Sequence, residues 1–451
     1  MLIQFDAIDY RDLGMMVYKE GWRTFLETGP HREPLYPWMI AVSMRVADAV
    51  GVSYEYIQKS LQVGILFLSQ LLLIMLMRQA KIRDGIIAAT ILYFGFSPAI
   101  VNSAFSLYSE IAAYPAVLLI IAGAWYGWRA IHYERISRVI AGAVLVALAF
   151  VWASFVKAIF QYVFLIFIIP FAIPLIEALF RKNTKKTFKA AVFIGIVSAV
   201  FMFPVISYRY ANKFFNGNFE FTTRYDQNFF GAVAQRTDPL PPALFWAHLA
   251  SVPGGGVCRV FFSEEICQDC EFSGMDLRKS TELSVFLKEN QVEVLGAERT
   301  QKILSRAVEK ISRNSLQYFF LTAIETLKMA FWESAQIGFV AYPAPLKHLF
   351  DYALFKNGIR FVLALLTYFS LFYLTVRVYR YRSKLFDFGA EEGIRIQTVF
   401  FILLLIAIYT VLYALYPILT RFALPIVALY LLCIAFTLET ILGKAGKTVP
   451  V

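Results

Sequence analysis

Nine stretches of this sequence are long and apolar enough to cross about 30 Å of hydrocarbon, where a helix satisfies its own backbone donors and acceptors. They lie at about residues 61–78, 85–103, 109–128, 138–156, 159–180 and 189–207, then at about 358–377, 396–415 and 420–441. The expected fold is therefore an all-α polytopic membrane protein. Its predicted parts are a first loop with juxtamembrane helices over 1–60, six spans over 61–207, a mostly helical cap over 208–357, and three spans over 358–451. Composition agrees, because 59% of residues are apolar and only 17% are charged, more apolar surface than a soluble domain hides.

A net charge of +11 would suit nucleic acid if the positives formed one patch. They sort by connector instead. Arg78, Lys81 and Arg83 share the first, Arg129, Arg135 and Arg138 the third, Arg181, Lys182, Lys185, Lys186 and Lys189 the fifth, and Arg377, Arg380, Arg382 and Lys384 the seventh. The positive-inside rule puts these connectors, with Lys444 and Lys447, in the cytoplasm. Residues 1–60, the turn at 103–109 and the 208–357 segment are then outside, and a nucleic-acid partner is excluded. The run 315–332 keeps Leu316, Phe319, Phe320, Ala323, Ile324, Leu327 and Phe331 on one face, with Glu325 and Lys328 off it. That pattern predicts a helix lying in the outer interface rather than a tenth span.

The cap reads as helical, with a stripe of Ile303, Leu304, Ala307, Val308 and Ile311. Cys258, Cys267 and Cys270 allow one disulfide with one thiol left over, and Cys433 reads as a packing residue in the last span. The triplet Gly254, Gly255 and Gly256 lacks the strand and spacing of a phosphate loop. Met1 leads straight into an acidic stretch with no cleavable signal segment before it.

That stretch, Phe5 to Trp38, crowds Asp6, Asp9, Asp12, Glu20, Glu27 and Glu33 among aromatics. The middles of the spans carry no ionisable residues, unlike ion-coupled transporters, which keep such groups at mid-depth. The unusual charges gather at the outer ends: Glu110, Lys157, Arg209 and Arg421. Singly, each reads as a snorkelling or capping residue. With Asp6 they form one layer of acids and bases at one depth.

An outer-face enzyme has no ATP or nucleotide sugar, so an activated group would arrive on a membrane lipid, its phosphate at headgroup depth. Breaking a sugar–phosphate bond leaves charge on the phosphate, which Lys157, Arg209 and Arg421 would stabilise; one such donor is worth about 2.7–4 kcal/mol. The attacking hydroxyl needs a proton acceptor or a divalent metal held by carboxylates, and Asp6, with Glu110 second, supplies that half. Tyr10, Tyr36 and Trp38 suit either sugar stacking or the interfacial aromatic belt.

These residues resemble the GT-C class of polyprenyl-phosphate-sugar-dependent glycosyltransferases, and within it the bacterial relatives of protein O-mannosyltransferases and lipid A aminoarabinose transferases. Asp6-Ala7-Ile8-Asp9-Tyr10 is similar to the start of the family's first outer loop, whose leading Asp is catalytic. Arg32, Pro34, Tyr36 and Pro37 resemble its end, and Ser109-Glu110 the acidic position of the second outer loop. Lys157 matches a basic residue near the donor phosphate. Pro204 to Arg209, with Gly217, Asn228 and Gly231, is similar to the opening of the main outer loop, and Arg421-Phe422 to Pro425 to the start of a late span.

The resemblance implies a GT-C-like bundle with Asp6 and Glu110 catalytic, Lys157, Arg209 and Arg421 on the donor phosphate, and Tyr10, Arg32, Tyr36 and Asn228 on substrate. It implies transfer of a sugar from a polyprenyl phosphate to a hydroxyl of a glycan, lipid or protein acceptor. The site would face the periplasmic side of the cell (inner) membrane. Family members place a span before the first loop, which implies an apolar stretch of ~20 residues encoded upstream of Met1. Many pair two adjacent acids where this chain has Asp6-Ala7, so a local metal-binding pair is missing. Two alternatives stay open: a GT-C-like polymerase or ligase using a diphosphate-linked donor, and a non-enzymatic transporter of lipid-linked sugars.

Overall fold

The computed structural model describes residues 6–222, 225–238, 241–271, 281–286, 288, 297–333, 344–386, 391–416 and 420–445. Lys447 and residues 223–224 of the loop motif lie outside them. Every regular element among the described residues is helical. Eight are long and apolar enough to cross a membrane, and a ninth forms if one bent pair counts as a single span. The chain is thus an all-α protein of multi-pass membrane type.

Three helices precede the first span. α1 (Asp6–Lys19) opens with Asp6 and Asp9 and closes with Lys19, charges that suit the two ends of the helix dipole. α2 (Trp22–Glu27) is short, and α3 (Leu35–Val50) ends at Gly51, whose φ of 75° is a left-handed cap that favours glycine. α3 packs on α1. The first span, α4 (Tyr54–Gln79), starts earlier than residue 61 because Ser53 caps it and the polar side chains of Gln58 and Gln62 are buried against protein rather than lipid.

The second span is broken. α5 (Asp84–Phe96) and α6 (Pro98–Phe105) meet at a 49° bend. Ser97 and Pro98 stop one helix and start the next, since proline cannot donate the hydrogen bond that would continue it. Glu333 secures the bend by accepting from Ser97 Oγ at 2.7 Å and from the Ala99 N–H at 3.3 Å.

α7 (Glu110–Tyr133) is the central span, with 83% of its apolar window buried. It packs closest on α8 (Ile136–Val156) through small residues. A Cβ on Gly142 would come within 3.0 Å of Gly127 Cα, and one on Gly127 would meet the Phe193 ring at 2.2 Å. After the span Phe160–Phe180, of which α9 (Phe160–Phe167) and α10 (Ala172–Phe180) are the two helical parts, comes α11 (Thr184–Asn216), with 33 residues. At 1.5 Å per residue α11 reaches about 50 Å, well beyond the hydrocarbon. Its last turns, predicted as the start of the cap, therefore continue the helix and carry Arg209 and Asn212.

The cap comprises α12 (Tyr225–Thr237), α13 (Pro242–Ala250), α14 (Gly255–Phe261), α15 (Glu264–Asp269), α16 (Ala297–Arg313) and α17 (Ser315–Leu327). Phe230, Val233, Ala234, Ile303, Ala307 and Tyr318 form its core. The stripe on α16 is narrower than predicted, because Val308 is exposed while Ile303 and Ala307 are fully buried. Cys258 and Cys267 form a disulfide, and Cys270 lies outside it, packing beside the pair with Leu244 and Ala247. Cys433 is buried in the last span.

α17 has 13 residues, too few to cross a bilayer. Leu316, Phe319 and Phe320 are exposed along it, as an interfacial helix requires. Its charges are not at the surface, however: Glu325 and Lys328 are buried, 2.7 Å apart, with His248 at 3.4 Å from Glu325. Turning inward lets each find a partner. Arg236 fastens the cap to the bundle, donating to the carbonyls of Ala414 and Tyr416 at 2.5 and 2.7 Å.

The last three spans are Asn357–Arg380, Glu392–Ala414 and Arg421–Gly443. Alternation of the spans brings residues 6, 32, 110, 157, 209 and 421 to one end of the bundle. At the other end Arg83 pairs with Glu439, Arg395 donates to the carbonyls of Ala80 and Lys81, and Lys186 pairs with Glu177.

Candidate active site

Asp6 opens α1, Arg32 stands in the loop before α3, and Arg421 lies in the 3-10 turn Thr420–Ile426 that begins the last span. The fold joins all three. Arg32 donates to Asp6 Oδ1 at 2.5 Å and to Asp9 Oδ2 at 3.1 Å, while Arg421 donates to Asp6 Oδ2. Each guanidinium also lies over a ring, Arg32 over Tyr10 at 4.9 Å and Arg421 over Tyr108 at 5.4 Å. Burial alone would raise the pKa of Asp6. Arg421 and then Arg32 outweigh it and hold the carboxyl well below the usual range, with Lys157 adding to the effect.

The second pair is Glu110 and Lys157. Glu110 is the first residue of α7, and Lys157 sits in the break between α8 and α9. Lys157 Nζ donates to Glu110 Oε1 at 3.1 Å, and both side chains are almost fully buried. Burial works against the ammonium, but Glu110 together with Tyr10, Tyr413 and Glu33 outweighs it, so the pKa of Lys157 is raised. Tyr10 ties the two pairs together, its hydroxyl 3.0 Å from Ser109 Oγ at the head of α7.

Glu33, counted among the acids of the first stretch but given no role from sequence, proves to be a structural link. Its Oε1 accepts the Ala158 N–H at 3.0 Å, a donor freed where the helix breaks. Adjacent residues Arg32 and Glu33 thus hold Asp6 on one side and the backbone beside Lys157 on the other. Tyr108 and Trp332 were also missed. They line a small cavity with Ser103, Glu110 and Arg421, about 10 Å³ of water-accessible space, room for about one water. Neither carries a local pattern; Trp332 arrives from the cap side of the sequence.

Other expected residues stand apart. Arg209 reaches Gln161 Oε1 at 2.8 Å, one helical turn from Lys157, and does not join Asp6. Asn228 is on α12, whose partners are α16 and α17, and makes no hydrogen bond to the cluster. Tyr10 and Tyr36 pack edge to face at 5.0 Å and are buried, so neither offers an open face to a sugar. Trp38 is exposed.

A divalent ion would have to enter this donor set on Asp6 and Glu110. Among the described residues, no three His, Cys, Asp or Glu side chains converge. Both oxygens of Asp6 and one of Glu110 are held by cations that a metal would have to displace.

Compared with known proteins, the sequence matches no family model and no curated protein. The chemistry is therefore argued from the cluster itself. Asp6 and Glu110 face Arg32, Arg421 and Lys157 at one end of the bundle, Glu110 and Lys157 buried and the other three half-buried, and each cation is neutralised by a carboxylate that another anion could replace.

Proposed function

We propose that this protein is a membrane glycosyltransferase that moves a sugar from a polyprenyl phosphate to an acceptor hydroxyl at the outer face of the cell membrane. The observation that carries the reading is the double pairing of Asp6 with Arg421 and Arg32, and of Glu110 with Lys157, at one end of the bundle. A lipid phosphodiester reaching this depth would take Arg421 and Lys157 from their carboxylates, exchanging one monoanion for another whose second negative charge develops only as the sugar leaves. As the sugar–phosphate bond breaks, the same cations would stabilise the departing charge. The released carboxylates are then available to the acceptor. The outer location rests on the connectors, whose Lys and Arg residues gather at the opposite end of the bundle.

The acceptor class, whether glycan, lipid or protein, and the GT-C character of the bundle belong to the same proposal. The test uses purified protein in vesicles with undecaprenyl-phosphate glucose, mannose or arabinose. A new glycosidic product and free undecaprenyl phosphate are expected, with a loss of about a hundredfold or more in Arg421→Ala. Movement of the lipid-linked sugar across the vesicle without a new glycosidic bond would overturn the enzyme reading in favour of transport.

A further inference from the structure

The two carboxylates of the site are not equivalent. Both oxygens of Asp6 accept from guanidinium groups, Oδ1 from Arg32 and Oδ2 from Arg421. Glu110 is engaged through Oε1 alone, by Lys157. Its Oε2 is buried and has no hydrogen-bond partner, in a residue 3% exposed that lines the cavity beside Ser103, Tyr108 and Trp332. A buried oxygen left without a donor costs about 1–3 kcal/mol, so such a group calls for a reason. The space next to it is the size of one hydroxyl oxygen.

We infer that Glu110, rather than Asp6, takes the proton from the acceptor hydroxyl, while Asp6 sets the positions of Arg32 and Arg421. This rests on the glycosyltransferase reading and reverses the order of the two acids that the family resemblance implies. In the step, the acceptor O–H bond breaks and its proton goes to Glu110 Oε2. The acceptor oxygen bonds to the anomeric carbon, and the bond from that carbon to the phosphate oxygen breaks, its electron pair leaving on the phosphate beside Lys157 and Arg421. Glu110 later returns the proton to solvent. The arrangement also links binding to chemistry. When Lys157 turns from Glu110 Oε1 to the donor phosphate, both oxygens of Glu110 are left open to the acceptor hydroxyl. The donor therefore primes the site for the acceptor. Asp6 keeps Arg32 whichever way Arg421 turns, and so remains the poorer proton acceptor.

Two measurements test this, one of them independent of sugar and acceptor. In the unaltered protein with undecaprenyl phosphate present to draw Lys157 away, dicyclohexylcarbodiimide, which reacts with carboxyls that take up a proton in apolar surroundings, should modify Glu110 and spare Asp6, as mapped by peptide mass spectrometry. Modification of Asp6 in preference, or none at Glu110, would overturn the assignment. In the vesicle assay, Glu110→Gln and Glu110→Ala should lower kcat by about a hundredfold to ten-thousandfold. Azide, a nucleophile that needs no deprotonation, should restore turnover of Glu110→Ala at least tenfold as a glycosyl azide, and should not restore Asp6→Asn. Rescue of Asp6→Asn alone would sink this role and leave the glycosyltransferase standing. Absence of any transfer by the unaltered protein would remove both.

Discussion

Arg421 donates to the carboxylate of Asp6 across 415 residues of sequence, so the beginning of the first helix is bonded to the beginning of the last span. Truncating either partner leaves the other charge partly buried without compensation. Asp6→Ala and Arg421→Ala should each cost about 3–5 kcal/mol, and the double variant less than their sum. Thermal unfolding of the four proteins in one detergent measures the coupling; strict additivity would mean the contact carries no energy.

The same clamp predicts a pH dependence. The folded pKa of Asp6 lies below its unfolded value of about 3.9, so the stabilisation is fully present above that value. It is lost as pH falls toward the folded pKa. The difference in melting temperature between the unaltered protein and Asp6→Asn should thus be constant from pH 7 to about 5 and shrink below about 4. A difference that grew on acidification would have the wrong sign.

Glu33 holds the backbone next to Lys157 through the Ala158 N–H. Glu33→Gln keeps an acceptor oxygen and should exchange the Ala158 amide hydrogen at the normal rate. Glu33→Ala should accelerate that exchange about tenfold or more, the equivalent of roughly 1.4 kcal/mol. Hydrogen–deuterium exchange of the peptide spanning 153–165 provides the readout. Equal behaviour of the two variants would remove the role.

Arg236 is fully buried and fastens the cap to the end of the span Glu392–Ala414. Arg236→Met keeps the volume but leaves the Ala414 and Tyr416 carbonyls without these donors. It should destabilise the protein by about 3 kcal/mol and increase proteolysis between cap and bundle, with cleavage mapped by mass spectrometry. Unchanged protease resistance would show that apolar packing alone docks the cap.

Much of the fold was legible in the chain. The apolar runs predict most span ends to within a few residues because a lipid-facing helix must be apolar for its whole length, while the first span begins earlier and α11 runs on beyond its apolar stretch. Where prediction and structure part, polar residues are buried against protein. Gln58 and Gln62 extend the first span, and Ser97-Pro98 with Glu333 bends the second. That Asp6, Glu110, Lys157 and Arg421 belong to one end of the bundle was also readable, since each flanks an apolar run or lies in the acidic stretch that precedes the first. Which acid meets which base was not, and neither was the link through Glu33. Spacing along the chain carries no information about contacts between residues separated by hundreds of positions.

By itself the sequence determined that this chain is a helical membrane protein and that its unusual charges collect at one end of the bundle, because hydrocarbon rejects charge and unpaired backbone. Only the tertiary structure decided that Asp6 has both oxygens occupied while Glu110 keeps one without a partner. That difference arises from helices α1, α7 and the last span converging around Arg421 and Lys157, and electrostatics inside such a site depends on distances that no linear pattern records.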